Sequence, residues 1–131
     1  MNTAVIHETL AASEAGQRTF PQVIKALLEV NVESYLVDLA RGTATYYLTD
    51  GETHIEPLTH ATNPIAEDLS APGLIAAIRG AQADRIRYPE FLKQSTAAGT
   101  IAYWAFLTGK KVIYFSRKGD FHIEEFPKAT Q

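Results

Sequence analysis

The chain has 131 residues, a formal net charge of −3 at pH 7 and no cysteine. This length suits one compact domain, which buries about two thirds of the surface that the unfolded chain exposes. Without cysteine, disulfides, thiolate metal sites and cysteine nucleophiles are excluded, and the acidic balance provides no general field for phosphate groups, so no nucleic-acid partner is expected.

The N-terminal segment predicts a helix and not a targeting signal. Val5, Ile6 and Leu10 give this helix one apolar side. The segment lacks the basic start and the continuous apolar run of a signal peptide. No segment of the sequence has the about 20 apolar residues that a membrane span requires. We therefore expect a cytoplasmic protein without a membrane partner.

A second helix is predicted from about Phe20 to Val30. Thr19 and Gln22 have the spacing of a capping box, and Pro21 lies in the first turn, where its missing N–H does no harm. Asn31 should end the helix, because asparagine tolerates the left-handed conformation that often follows a helix.

Three strands are predicted after this helix, over residues 34–39, 43–48 and 53–56. These segments are rich in β-branched and aromatic residues, and Arg41-Gly42 and Asp50-Gly51 separate them. Such runs with glycine turns between them are typical of β-hairpins. The first half of the chain therefore reads as two helices followed by three antiparallel strands.

The second half repeats this pattern at an offset of 68 residues. Between residues 20–56 and 88–124 nine positions are identical, where unrelated sequences would share roughly two. The repeat predicts one α+β domain made by internal duplication, with units of about 1–62 and 63–131. We expect pseudo-two-fold symmetry, an antiparallel sheet of about six strands and four helices mainly on one face.

The turn at Asp50-Gly51 sets which side chains share a face. A two-residue turn would place Tyr47 opposite His54, and the same register would place Phe115 opposite His122. The face that meets the helices should then carry an apolar set: Tyr35, Val37, Leu39, Tyr46, Ile55, Tyr103, Ala105, Leu107, Tyr114 and Ile123.

The opposite face is predicted to differ between the two repeats. In the first it carries Leu36, Asp38, Thr45, Tyr47, His54 and Glu56, and in the second Trp104, Phe106, Ile113, Phe115, His122 and Glu124. Soluble monomers rarely expose an apolar patch of this kind. Its cover is a loop or the C-terminal tail, a second copy, or a small-molecule or protein ligand. The candidate surface consists of Trp104, Phe106, Phe115, His122, Tyr47 and His54.

Each repeat ends in the tripeptide His-Ile-Glu. His54 with Glu56, and His122 with Glu124, lie two residues apart and therefore on one side of a strand. Two imidazoles and two carboxylates suit zinc or iron if the fold brings the repeats together; otherwise each pair is a polar strand edge. No cofactor is expected, and a divalent metal at these four residues is the alternative. His7 and His60 have no counterpart in the repeat and are expected at the surface.

Several short motifs are distributed over the chain: Phe20-Pro21, Thr45-Tyr46-Tyr47, Arg87-Tyr88-Pro89-Glu90-Phe91, Ala97-Ala98-Gly99, and Gly119-Asp120 followed by His122-Ile123-Glu124. Through them nearly the whole chain resembles a small bacterial and prophage family of unknown function, often labelled phage envelope protein. The resemblance implies no activity, substrate or site. A component embedded in an envelope would need a spanning segment or an export signal, and the sequence predicts neither.

Common catalytic motifs are missing from the sequence. It contains no Gly-x-Ser-x-Gly elbow, no His-Glu-x-x-His helix and no glycine-rich phosphate loop. We therefore predict a non-catalytic binding or interaction module that uses the aromatic sheet face and forms a homodimer. The alternative is a small metal-dependent or acid–base enzyme that uses the paired His-Ile-Glu strands.

Overall fold

The computed structural model describes residues 1–59 and 63–127, and it confirms the α+β class. The first half contains α1 (Thr3–Glu14), α2 (Phe20–Leu28), β1 (Val32–Asp38), β2 (Thr43–Leu48) and β3 (Thr53–Pro57). The second half contains α3 (Ala71–Gln82), α4 (Tyr88–Ala97), β4 (Thr100–Phe106), β5 (Lys111–Ser116) and β6 (Phe121–Glu125). The six strands form one antiparallel sheet. His60 lies outside the described residues.

A local sequence signal sets the start of the second helix as predicted, whereas the helix ends at Leu28, two residues before the predicted Val30. The Gln22 N–H donates to the Thr19 hydroxyl at 3.4 Å, and the Thr19 N–H donates to the Gln22 side chain at 2.9 Å, which completes the capping box. Asn31 has φ 67° and its counterpart Gly99 has φ 100°. Both helices are therefore followed by a residue in the left-handed region, as the two residue types indicate.

The strand order β3-β2-β1-β4-β5-β6 places the two halves side by side. At the centre Leu36 lies opposite Trp104, the residue 68 positions later, and Tyr35 lies opposite Ala105. The pair Tyr35–Ala105 corresponds to the pair Val37–Tyr103 when each residue is replaced by its counterpart in the other repeat. This register gives the sheet a pseudo-two-fold axis that passes between Leu36 and Trp104.

The hairpin loops, predicted to have two residues, have three. The Leu48 N–H donates to the Glu52 carbonyl at 2.9 Å, and Gly51, with φ 91°, completes a three-residue loop. The second hairpin is the same: the Ser116 N–H donates to the Asp120 carbonyl at 2.8 Å, and Gly119 has φ 90°. In consequence His54 lies opposite Tyr46 and not Tyr47, and His122 lies opposite Tyr114 and not Phe115.

The one-residue shift reverses the faces of both edge strands, because side chains alternate along a strand. Ile55 and Ile123, predicted in the core, are 58% and 47% exposed. Glu56, predicted on the opposite face, is only 8% exposed and lies on the helix side together with His54. The rest of the predicted core set is buried: Tyr35, Val37, Leu39, Tyr46, Tyr103, Ala105, Leu107 and Tyr114.

The four helices cover this core face of the sheet. Ile6 of α1, Leu27 of α2, Leu74 of α3 and Leu92 of α4 are each no more than 1% exposed. Complete burial of such a side chain contributes about 1.5–3 kcal/mol to folding. Among the helices in the described part of the chain, none is long and apolar enough to cross a membrane.

Candidate functional site

The outer sheet face, which we define as the face turned away from the helices, carries an aromatic stack at its centre. The Trp104 ring lies 5.5 Å from Tyr47 and 5.3 Å from Phe106, with interplanar angles of 29° and 19°. Phe115, opposite Ala102, lies on the same face. Four of the six residues of the candidate surface are thus on one continuous face.

The other two residues of the candidate surface are not on this face. His54 and His122 point to the helix side because of the register shift. Their places are taken by Ile55, Phe121 and Ile123, which are 58%, 61% and 47% exposed. Sequence reasoning missed these three residues. The available signal was the glycine that ends each hairpin loop, since glycine is typical of the third position of a three-residue loop.

The C-terminal segment up to Pro127 lies on the helix side and leaves the outer sheet face open. The Phe126 ring meets Phe20 of α2 edge-on at 5.4 Å, and the Phe126 N–H donates to the Lys110 carbonyl at 3.0 Å. Ile55 and Phe121 remain more than half exposed within residues 1–59 and 63–127. Residues 128–131 of the predicted C-terminal cover lie outside the described residues.

Charged groups are found only near the rim of the described outer sheet face. At one end exposed Lys111 lies opposite exposed Glu125. At the other end the Asp38 carboxylate accepts the N–H groups of Ala40 and Arg41 at 3.1 and 2.9 Å. The face therefore has an apolar aromatic centre and a rim with charges of both signs, which is the usual anatomy of a protein interface.

The structure does not bring the two His-Ile-Glu strands together. β3 and β6 are the opposite edges of the sheet. Five strand spacings of about 4.8 Å separate them by about 24 Å. His54 and Glu56 therefore cannot share one metal ion with His122 and Glu124. Within the described ranges no group of three or more histidine and acidic side chains has the arrangement of a metal site.

Each of these glutamates instead forms a hydrogen bond between its edge strand and a helix. The Glu56 carboxylate is hydrogen-bonded to His54 Nε2 at 2.6 Å and to His7 Nδ1 of α1 at 2.8 Å. Burial of Glu56 opposes its ionisation, but the hydrogen bonds with His7 and His54 outweigh burial and lower its pKa. The hydrogen bond with Glu56 in turn raises the pKa of exposed His7.

The second half contains a similar contact between a helix and an edge strand, with Arg79 in the place of His7. Arg79 of α3 donates to the Glu124 carboxylate at 2.6 Å, and His122 Nε2 lies 3.2 Å from it. Burial again opposes ionisation, but these hydrogen bonds, with that of Arg79 first, lower the pKa of Glu124. The two His–Glu pairs are therefore parts of helix-to-edge contacts, in which a helix residue, His7 or Arg79, hydrogen-bonds to a largely buried carboxylate of the edge strand.

The contact between His7 and Glu56 should make stability depend on pH. Because the folded pKa of His7 is raised, its contribution is complete below about pH 6.5 and is lost as pH rises through the folded pKa. Because the folded pKa of Glu56 is lowered, its contribution is complete above about pH 4.5 and is lost at lower pH. We expect His7→Ala to lower the melting temperature more at pH 5 than at pH 8.5.

Val5→Ala on the same helix removes no titratable group, so its effect on the melting temperature should be similar at both pH values. Circular dichroism melts of the three proteins give the comparison. An effect of His7→Ala that is equal at pH 5 and pH 8.5 would contradict the assigned contact.

Comparison with known proteins places the chain in a family. Residues 2–125 match the family described as a protein of unknown function, DUF1398, and the chain belongs to that family. Comparison with curated proteins gives no match. The expectation of a family without an assigned function is confirmed, whereas its phage-related label stays a prediction.

Proposed function

We propose that this member of the DUF1398 family is a non-catalytic binding module whose outer sheet face binds a second copy of the same chain. The observation that carries the proposal is the uncovered apolar centre of that face, where Trp104 is stacked between Tyr47 and Phe106. Three further large apolar side chains of the face are about half exposed or more: Ile55, Phe121 and Ile123. Continuous apolar patches of this type mark interaction sites.

The size of the outer sheet face suits a stable dimer. Six strands at about 4.8 Å spacing and about five residues at 3.3 Å give a surface of roughly 29 by 17 Å. Two copies would bury about 1,000 Å² in planar projection, and the side-chain relief adds to this area. This area reaches the minimum of about 1,000 Å² for a biological interface, whereas standard stable complexes bury about 1,200–2,000 Å².

The symmetry of the face favours a second copy over an unrelated partner. A two-fold dimer requires one patch that is complementary to itself. The pseudo-two-fold axis passes between Leu36 and Trp104 at the centre of the patch, so two copies can meet centre to centre. The centre carries no charge to be left unpaired, and the rim carries both Lys111 and Glu125, which can pair between copies.

A catalytic role of the His–Glu pairs has less support. Each glutamate is hydrogen-bonded to the histidine of its own edge strand and to one helix residue, His7 or Arg79, which holds that helix against the strand. The two pairs lie at opposite edges of the sheet. We therefore assign these residues to the stability of the fold and not to chemistry.

Sedimentation velocity over a range of concentrations tests the proposal. The native chain should sediment as a dimer, and the double variant Trp104→Ala with Phe106→Ser should sediment as a monomer with unchanged helix content. Leu28→Ser is the matched control, because Leu28 is 42% exposed but lies at the end of α2. A native chain that stays monomeric at every concentration would refute self-association.

A further inference from the structure

A cavity of about 520 Å³ lies on the other side of the sheet, between its core face and the helices. Its walls include Leu10 of α1, Val23 and Ile24 of α2, Ile78 of α3 and Phe91 of α4. Sites for small molecules typically enclose 300–1,000 Å³ and are lined mainly by apolar and aromatic side chains. The cavity therefore has the size and the lining of a small-molecule site.

The two repeats differ at one position of the cavity wall. In the second repeat Phe91 packs edge-on against Tyr103 and Tyr114, with ring centroids 6.4 and 6.3 Å away. The counterpart of Phe91, 68 residues earlier, is Val23, which is smaller and only partly buried. Of the α2 residues only Leu27 is fully buried. Val23 therefore occupies less of the cavity than a phenyl ring at its position would.

Five tyrosines line the cavity: Tyr35, Tyr46, Tyr88, Tyr103 and Tyr114. The four that come from the strands are no more than 6% exposed. The hydroxyls of Tyr88 and Tyr103 are hydrogen-bonded to each other at 2.7 Å. The hydroxyls of Tyr35, Tyr46 and Tyr114 have no hydrogen-bond partner within residues 1–59 and 63–127. These three oxygens are not among the fully buried unpaired side-chain atoms of the described residues, so they reach the open space of the cavity and are available to a ligand.

The hydroxyls of the strand tyrosines stay protonated and act as donors. Burial raises the pKa of Tyr35, Tyr46, Tyr103 and Tyr114, and interaction with the Tyr88 phenol raises each further. The rings of the strand tyrosines are neighbours across the sheet, with centroid distances of 5.5 Å for Tyr35–Tyr46, 6.3 Å for Tyr35–Tyr103 and 5.6 Å for Tyr103–Tyr114. The charged side chains of the lining do not add a positive field: Arg18 and Arg87 are accompanied by three acidic residues, and Arg87 pairs with Asp84.

We propose that this cavity binds a small, uncharged and largely apolar molecule whose one oxygen acceptor, such as a carbonyl, receives hydrogen bonds from the tyrosine hydroxyls. The apolar walls accept the body of such a molecule, and the unpaired hydroxyls orient its oxygen. A site built to hydrogen-bond a polar group rejects an analogue that lacks it, because its buried donors are then left unpaired. The cavity and the outer sheet face are on opposite sides of the sheet, so this binding does not depend on self-association.

Two probes of the same shape test the proposal by isothermal titration calorimetry. 2-Acetylnaphthalene carries a carbonyl acceptor, and 2-ethylnaphthalene is its apolar analogue. The native chain should bind the ketone about tenfold more tightly than the hydrocarbon. Triple replacement of Tyr35, Tyr46 and Tyr114 by phenylalanine should abolish this preference and leave the hydrocarbon affinity unchanged. The triple variant should fold, since these hydroxyls have no partner to lose in the described structure.

Val23→Phe copies the second repeat into the first and fills the cavity. It should weaken binding of both probes at least tenfold and raise the melting temperature. Binding should persist in Trp104→Ala with Phe106→Ser, which alters only the outer sheet face. The proposal is overturned if the ketone shows no saturable binding, if the triple tyrosine variant keeps the preference for the ketone, or if binding is lost with the outer-face variant.

Discussion

Leu36→Glu should convert the proposed dimer into a monomer without unfolding it. Leu36 lies opposite Trp104 at the pseudo-two-fold axis, so a centred dimer would bring the two introduced carboxylates together. Both charges would be unpaired and removed from water, which costs several kcal/mol. The dissociation constant should therefore rise about 100-fold or more. Sedimentation equilibrium measures this constant, and far-UV circular dichroism checks that the fold is retained.

Leu28→Glu is the matched control for this prediction. It introduces the same charge at an exposed leucine of α2, away from the outer sheet face. The control should stay dimeric, and both variants should still bind 2-acetylnaphthalene in the cavity. If Leu36→Glu remained a dimer with an unchanged dissociation constant, the outer sheet face would not be the interface.

Gly99→Ala should have the largest effect on stability of any single methyl addition considered for this chain. Gly99 has φ 100°, and a Cβ atom there would lie 2.3 Å from the Asp68 carbonyl oxygen and 2.8 Å from Leu69 Cα. These are backbone atoms held in place by the hydrogen bond from Ser70 N–H to the Ala98 carbonyl at 2.7 Å. We expect a loss of about 3 kcal/mol or more in the free energy of unfolding. Urea denaturation measures the loss.

Gly119→Ala separates backbone strain from steric clash. Gly119 has φ 90°, but within residues 1–59 and 63–127 a Cβ atom there would have no heavy atom within 4 Å apart from those of Gly119 and its two chain neighbours. Only the left-handed backbone strain remains, about 1–2 kcal/mol. Gly99→Ala should therefore cost clearly more than Gly119→Ala. Equal losses in the free energy of unfolding would contradict the prediction. They would show that Asp68 and Leu69 move away from the end of α4 at little cost.

Much of the fold could be predicted from local patterns. The capping box at Thr19 begins α2, and the left-handed residues Asn31 and Gly99 follow within three residues of the last residues of α2 and α4, as these residue types favour. The alternation of Tyr35, Val37 and Leu39 identified the buried face of β1. These features depend on neighbours a few residues away, which the sequence displays directly.

The edge strands could not be predicted at the same level. The segment from Thr53 to Glu56 has a histidine, an isoleucine and a glutamate, and its sequence alone does not show which of its two faces is turned towards the core. One extra residue in the hairpin loop decided that Ile55 faces outwards and Glu56 faces α1. The contact between His7 and Glu56, 49 residues apart, has no signal in the repeat, because position 75 carries isoleucine and not histidine.

The tyrosines show a similar division. The pattern correctly predicted that Tyr35, Tyr46, Tyr103 and Tyr114 are buried. It did not reveal that their hydroxyls surround a cavity, because a cavity is a volume that several elements leave unfilled. The difference between Val23 and Phe91 at its wall is recognisable in the aligned repeats only after the structure shows which residues α2 and α4 place over the sheet.

The sequence by itself determined the α+β class, the order of the ten elements and the side of β1, β2, β4 and β5 that is buried, because propensity, capping and alternation act over short distances. The tertiary structure alone decided the orientation of β3 and β6, the separation of the two His–Glu pairs and the cavity beneath α2. These features depend on loop geometry and on side chains from distant segments, and both are fixed only when the helices close over the sheet.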